Sequence, residues 1–492
     1  MLLVFLSSGL FLGWSLGAND AANVFGSAVG TRMVRFKTAA ILCGIFVILG
    51  AVFSGAGTSH TIGSLGSVNA LAGAFMVALS AAFTVYWMTR LTIPVSTSQA
   101  IVGAIIGWNF FSAWPTDTVA LKNIMLTWLL CPVLSGMFAV LLFLLARLIL
   151  NNIKTHLLRR DLYLRVGLLI TGAFGAYSLG ANNIANVMGV FVTTEPLRDF
   201  NLFGLAHFSG THQLFLIGGI AIAVGAYTYS RRVMETVGGS LLKLTPEMAL
   251  IVVLAHALVL FIFSSENLEY WLISSGLPSF PLVPVSSSQA IVGAILGVGI
   301  LKGWRNVRLS VMGGIAAGWI ITPVVAGLVT FIALFFLQNV FSQEVSKKTV
   351  FVIDEEVLVR LNEKNIKDPG LNGMLNTKYE NAGAFTNDLL KKTSISMIDR
   401  KEVFEYAHHD SLFIDEAIID KKIDKNWLTP GQIKAIKKQS GKSYSYPWKM
   451  HVDLENASEE WQLKPETKVN KLYNKSLMMK RDYITRVFRL NR

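Results

Sequence analysis

Long apolar runs separated by short polar loops dominate the first 340 residues. Runs near the length needed to cross a bilayer, about 20 residues, lie at 2–17, 38–57, 69–89 and 121–150. A second set lies at 163–180, 212–229, 246–264 and 309–340. Eight runs therefore read as candidate membrane helices, with the count at the broken segments left open. Between them, the segments near 91–110 and 281–301 are punctuated by Pro and Gly and are too short to cross twice. The chain opens directly on an apolar run without a basic stretch before it, so this run reads as a helix of the mature protein. After residue 340 the pattern changes to short apolar stretches, such as 350–353 and 412–419, set in charged sequence. There Leu428-Thr429-Pro430-Gly431-Gln432-Ile433 reads as a turn leading into a helix.

Two polar strings occur twice inside the apolar region. Residues 15–26 and 178–189 both read S-L-G-A-N-x-x-A-N-V-x-G. Residues 93–107, IPVSTSQAIVGAIIG, return as 283–297, VPVSSSQAIVGAILG, with 12 of 15 positions identical. Trp128, Pro132 and Gly136 recur as Trp319, Pro323 and Gly327. The chain is thus a duplicated membrane unit: a first repeat at 1–150, a linker at 151–162, a second repeat at 163–340 and a charged tail at 341–492. Short, Gly/Pro-interrupted apolar segments at matching places in two halves mark the binding site of a transporter.

Composition sharpens the division. Only nine of the 31 acids precede residue 341, while the tail carries 22 acids and 27 bases. The net charge of +13 does not point to nucleic acid, because the body's bases sit in loops between apolar runs, as membrane anchors do. Arg147, Lys154, Arg159, Arg160 and Arg165 form one basic cluster, which the positive-inside rule places in the cytoplasm. Others are Arg32, Arg35 and Lys37; Arg231, Arg232 and Lys243; and Lys302, Arg305 and Arg308. The pattern alone does not assign all four to one side, nor does it place the C-terminus. Cys43 and Cys131 lie in apolar runs and read as buried thiols.

The repeated strings carry the chemistry. Proline suits a helix's first turn, so Ser96, Thr97 and Ser98, like Ser286, Ser287 and Ser288, stand at the N-cap and first turn of a half-helix. Free N–H groups, the positive end of the dipole and these hydroxyls together make an anion site. The bland alternative is that such hydroxyls only bond back to the backbone; near-identity of two copies argues against it. In the other string, Gly17 and Gly180 are expected to break the helix. Asn19, Asn23, Asn182 and Asn186 offer amide oxygens to a cation and amide N–H groups to an anion. Asp20 is the only acid in either copy, and burial of its carboxylate costs several kcal/mol unless it is paired or protonated. With no Lys or Arg nearby in sequence, the expected partner is a transported Na⁺ or H⁺. A packing seam is the competing account. Phosphate carries a proton near neutral pH that Asp20 can accept in a hydrogen bond; sulfate does not, which favours phosphate.

At these residues the chain resembles the inorganic phosphate transporter (PiT, or Pho-4) family, over about 1–340. The resemblance rests on GANDAANVFGSAVGT at 17–31, GANNIANVMG at 180–189, the two PVS-S/T-SQAIVGA segments and RRVMETVGGSLLKLTP at 231–246. It implies an all-α polytopic membrane protein with inverted structural repeats and two re-entrant helical hairpins, followed here by a small C-terminal soluble region of unknown role. It also implies import of inorganic phosphate by symport with Na⁺ or H⁺, through alternating access at a midplane site in the plasma (cell inner) membrane. No enzymatic cofactor is expected, and the resemblance leaves room for a homodimer. Carried over by position, Asp20, Asn23, Ser96, Thr97, Ser98, Ser286, Ser287 and Ser288 bind phosphate. Asn19, Asp20, Asn182, Asn183, Asn186, Gln99 and Gln289 bind the cation. Two departures concern coupling: Asn183 stands where the family commonly has Asp, and Val253 where many members have Glu.

Three other functions compete. A sulfate permease of the same family keeps the architecture and changes the anion. An anion channel needs a continuous pore and no cation dependence. A membrane enzyme fits poorly, because His60, His156, His207, His212 and His256 are scattered and accompany no repeated acid. In the tail, His408-His409 beside Asp410 reads as a solvated pair rather than a metal site.

Overall fold

The structure is a computed structural model. It describes residues 2–490 apart from 67, 92–94, 153–155, 193, 195–196, 198–199, 203–205, 232, 235–243, 303–308, 426, 466 and 468–469. Lys154, Arg232, Lys243, Arg305 and Arg308, and most of the 231–246 string, lie outside the described residues. So do the side chains of His60 and His207. The chain divides into two compact units, 1–111 with 116–269 and 279–346, and 347–492 with the short loops 112–115 and 270–278.

The first unit is helical. In order it contains α1 (Leu2–Gly30), α2 (Phe36–Ser54), α3 (Ala56–Leu65), α4 (Leu71–Arg90), α5 (Thr97–Ser112), α6 (Thr118–Asn152) and α7 (Leu157–Val192). A small antiparallel pair, β1 (Phe200–Leu202) with β2 (Ala206–Phe208), follows. Then come α8 (Gly210–Thr228), α9 (Pro246–Ser264), α10 (Glu266–Ser274), α11 (Ser287–Lys302) and α12 (Leu309–Asn339). Among the described residues, eight helices are long and apolar enough to cross a membrane: α1, α2, α4, α6, α7, α8, α9 and α12. These are the eight that the apolar runs predict. Their outward faces explain the hydropathy: Leu129, Val133 and Met137 of α6, with Ile320, Val324 and Leu328 of α12, are exposed. The polar residues of the repeated strings are turned inward, as hydrocarbon around the unit requires.

Gly17 and Gly180 do not break their helices. Both α1 and α7 run unbroken through the repeated string. Each glycine instead admits a neighbouring backbone: a Cβ on Gly17 would collide with Ile222 O of α8, and one on Gly180 with Val47 O of α2. The neighbours reciprocate, since Gly225 of α8 faces Trp14 O and Gly50 of α2 faces Tyr177 O. Small residues permit this approach in a membrane, where packing replaces the hydrophobic effect as the force between helices. Similar contacts join the other repeated string to the proline helices. Gly103 of α5 meets Pro323 O of α12, and Gly293 of α11 meets Pro132 O of α6. In every case an element of one sequence repeat packs on an element of the other.

The described members of the four basic clusters meet at one end of this unit. Arg165 donates to Met33 O (3.2 Å) in the loop after α1. Arg160 pairs with Glu247 at the start of α9 (3.0 Å). Arg231 lies over the Phe36 ring and Lys302 over the Phe143 ring, both at 6.0 Å. From that end α12 runs 31 residues, about 46 Å. Beyond it, Val345 O accepts from Trp108 Nε1 near the end of α5 (3.1 Å). The chain therefore leaves the unit at the end opposite the basic loops.

The second unit is a mixed domain. Strands β3 (Val350–Val352), β4 (Lys378–Tyr379) and β5 (His408–His409) form an antiparallel sheet in the order β4-β3-β5, and β6 (Leu412–Phe413) pairs with β7 (Ser443–Tyr444). Around them lie α13 (Glu355–Glu363), α14 (Ala382–Lys392), α15 (Met397–Ala407), α16 (Glu416–Lys422), α17 (Pro430–Lys438), α18 (Pro447–Ala457) and α19 (Asn470–Phe488). Phe351 stacks on Phe385 at 5.0 Å in one core, against which Trp114 packs; Trp461 centres a second. The expected helix start at 429–433 is α17, where Thr429 and Gln432 form a capping box. The solvated reading of His408-His409 is overturned. Both are half-buried strand residues, with His408 against Phe351 and His409 against Tyr446, and burial pushes the His408 imidazole down to about 4.

Candidate functional site

The two PVS segments form matching helix starts. Ser96 Oγ accepts from Gln99 N (3.4 Å) at the start of α5, and Ser286 Oγ from Gln289 N (3.3 Å) at the start of α11. These are N-caps, as the sequence predicts. The extended stretch before α11 is pinned from two sides. Asn182 of α7 exchanges two hydrogen bonds with Val285, its Nδ2 donating to Val285 O (2.8 Å) and its Oδ1 accepting from Val285 N (2.9 Å). Thr61 of α3 donates to Leu282 O (2.6 Å). An Asn amide, like that of Gln, can copy a peptide's donor and acceptor together, and here it gives this extended stretch a hydrogen-bonding partner.

Each long helix then reaches the other repeat's cap. Asn23 of α1 donates to Ser287 Oγ of α11 (3.0 Å), and Asn186 of α7 donates to Ser98 Oγ of α5 (2.8 Å). Ser98 donates on to Val285 O (3.0 Å), which ties the two helix starts together. Asn186 Nδ2 also donates to Asn183 Oδ1 (2.8 Å), while Ser286 and Ser288 share a bond of 3.1 Å. Of the fourteen expected site residues, twelve are buried; Asn19 and Ser288 are half-buried. The structure thus joins Ser98, Asn182, Asn183 and Asn186 into one network with Val285, and bonds Asn23 to Ser287 two residues further along the chain. Asp20 stands apart from it: its carboxylate accepts from Asn19 Nδ2 (2.8 Å) and forms no ion pair among the described residues.

Several buried atoms of the expected site residues have no protein partner among the described residues. The acceptors are Gln99 Oε1, Gln289 Oε1 and Asn186 Oδ1; the others are Thr97 Oγ1 and Asn183 Nδ2. Each such atom is expensive in a dry interior unless something binds it. Uncharged amide and hydroxyl oxygens suit a hard monovalent cation, and N–H and O–H groups at two helix starts suit an oxyanion.

One residue of this region was not singled out by its sequence. His256 of α9 is fully buried, and its Nε2 lies 2.9 Å from Ser287 Oγ. The available signal was its spacing: it lies three residues after Val253, on the same helix face, where the resemblance expects Glu.

Known proteins repeat this arrangement of sequence and fold. A solved structure described as the sodium-dependent phosphate transporter superposes with a TM-score of 0.54 at 21% identity, covering 68% of this chain and 98% of its own, which makes the fold the same. A protein of Methanocaldococcus jannaschii named as a phosphate permease is 30% identical over 323 residues, 65% of this chain and 93% of the relative. The sulfate permease CysP of Bacillus subtilis is 28% identical over 346 residues, 68% of this chain and 88% of the relative. The sequence profile of the phosphate transporter family matches residues 16–330, and again 277–475, so the match runs past the apolar body into the charged region. With eight membrane helices and both repeated strings inside the matched range, this multi-pass membrane protein belongs to the phosphate transporter family.

Proposed function

We propose that this protein is a secondary active transporter that imports inorganic phosphate by symport with Na⁺. The observation that carries the reading is the crosswise pair of bonds, Asn23 to Ser287 and Asn186 to Ser98, which makes one buried polar site out of both repeats. Phosphate is held by the hydroxyls and N–H groups at the starts of α5 and α11, with Ser96, Thr97 and Ser98 from one side and Ser286, Ser287 and Ser288 from the other. Asp20 and Asn23 complete it. Phosphate's own proton satisfies the Asp20 carboxylate, which a fully ionised sulfate would only repel. Na⁺ is ligated by the partnerless oxygens of Gln99, Gln289 and Asn186, together with Asn19, Asn182, Asn183 and Asp20. Alternating access follows if the two repeats are inverted. That reading is supported by α1 ending, and its sequence counterpart α7 beginning, at the basic end. The PVS segments enter as re-entrant pieces, each opening a half-helix, α5 or α11.

The deciding experiment is uptake by proteoliposomes of labelled phosphate, with labelled sulfate in parallel, under an imposed Na⁺ or H⁺ gradient. Phosphate accumulation above equilibrium under the Na⁺ gradient is expected. Equilibration without accumulation under either gradient would replace the symporter by an anion channel. The relation to CysP supports sulfate as the second reading, and preferential sulfate accumulation would establish it.

The clustered basic loops also orient the protein. By the positive-inside rule their end is cytoplasmic, so the opposite end of this unit, where Val345 meets Trp108, faces outward. Cys43 and Cys131 are buried, which leaves a clean background for surface labelling. In intact cells a membrane-impermeant maleimide should label Glu344→Cys and spare Lys37→Cys until the membrane is opened. Labelling in the opposite order would invert the orientation.

A further inference from the structure

His256 has no role in the site as described so far, and none is implied by the repeats. It lies in the apolar middle of α9, fully buried, with Nε2 at 2.9 Å from Ser287 Oγ and Nδ1 without a partner among the described residues. The same Ser287 oxygen accepts from Asn23 Nδ2 at 3.0 Å. A hydroxyl has two acceptor positions and one proton. An amide nitrogen can only donate, so Asn23 fills one acceptor position.

The tautomer of His256 then decides what Ser287 has left. With the proton on Nε2, the imidazole fills the second acceptor position. The Ser287 proton is then free to reach an oxyanion, and the partnerless Nδ1 is a bare acceptor. With the proton on Nδ1, Ser287 spends its proton on the imidazole, and an N–H is buried with nothing to receive it. An orphaned buried N–H is the rarer and costlier arrangement. The sequence counterpart of Ser287 is Thr97, whose hydroxyl has no partner among the described residues.

Resting on the phosphate reading above, we propose that His256 is a positioning residue for the anion: it donates to Ser287 and so presents that hydroxyl's proton to a phosphate oxygen. It acts through Ser287 and does not touch the substrate itself. The two halves of the site therefore contribute unequal donors, one oriented by an imidazole and one free to turn.

The test compares wild type, H256F, H256Q, S287A and H256F/S287A in proteoliposomes, separating KM from maximal rate for labelled phosphate. H256F removes the donor, whereas the amide of H256Q can still donate from a similar reach. H256F should raise KM ~10-fold, the worth of one hydrogen bond to a charged group, with a maximal rate within about twofold of wild type. H256Q should recover most of the loss, and the double variant should be no worse than S287A alone. An unchanged KM in H256F, or additive losses in the double variant, would overturn the role. Thermal protection of the purified protein by inorganic phosphate gives the same ranking without transport. A wild type that is protected but does not accumulate phosphate rejects the symporter and leaves the His256 comparison standing. Equal protection of wild type and H256F rejects the His256 role, and a wild type neither protected nor active overturns both.

Discussion

Asp20→Asn is expected to abolish gradient-driven phosphate uptake while leaving the protein folded. Asp20 is buried within α1, accepts from Asn19 and has no ion pair among the described residues. A carboxylate in that position persists only if a mobile partner, the cation or a substrate proton, meets it during the cycle. Asparagine keeps the volume and one oxygen for Asn19, so packing is preserved. On the proposed mechanism, what disappears is the charge that lets cation and phosphate bind together. Removing one member of a buried charged pair costs roughly 3–5 kcal/mol, equivalent to a drop of ~10²- to ~10⁴-fold in initial rate at low Na⁺. Proteoliposome uptake measures the rate, and a melting curve of the purified variant checks the fold. Uptake at the wild-type rate would take Asp20 out of the transport cycle.

The second large effect concerns folding. Gly17→Ala or Gly180→Ala should deplete the folded protein from the membrane. The added Cβ meets a backbone carbonyl, Ile222 O or Val47 O, and a carbonyl cannot move aside as a flexible side chain can. Overpacking by one methyl typically costs 1–3 kcal/mol where neighbours can adjust. Here two helices must separate along their length, so a loss of at least ~3 kcal/mol is expected. Size-exclusion profiles of a fluorescent fusion would register it as aggregation or absence of the main peak. As a control, Gly313→Ala, with nothing near the added atom, should be silent. Normal profiles for both glycine variants would mean that α1–α8 and α7–α2 can separate without penalty.

The fold was legible where hydropathy decides it. All eight apolar runs became helices of membrane length, because in a bilayer only a chain with its backbone bonds satisfied internally can cross. Reading Gly17 and Gly180 as breaks failed for an equally physical reason. Glycine's lack of a side chain serves flexibility and close approach alike, and only the partner helix distinguishes the two. The caps at Ser96 and Ser286 could be read from proline and hydroxyl order. The partner of each asparagine could not, since α1 and α11 are some 260 residues apart. His256 was invisible to a search based on duplication because it occurs once. The sidedness of the basic loops needed the contacts of Arg160, Arg165, Arg231 and Lys302, which no count of helices supplies.

The reciprocal glycine contacts also bear on synthesis. When α1 and α2 leave the ribosome, the helices that their glycine faces fit, α8 and α7, have not been made. The first half must therefore wait in the lipid with its closest packing surfaces uncovered until residues 157–228 follow. Assembly is completed late and between halves, so a chain stalled after α6 would be inserted yet unpacked, a natural substrate for membrane quality control.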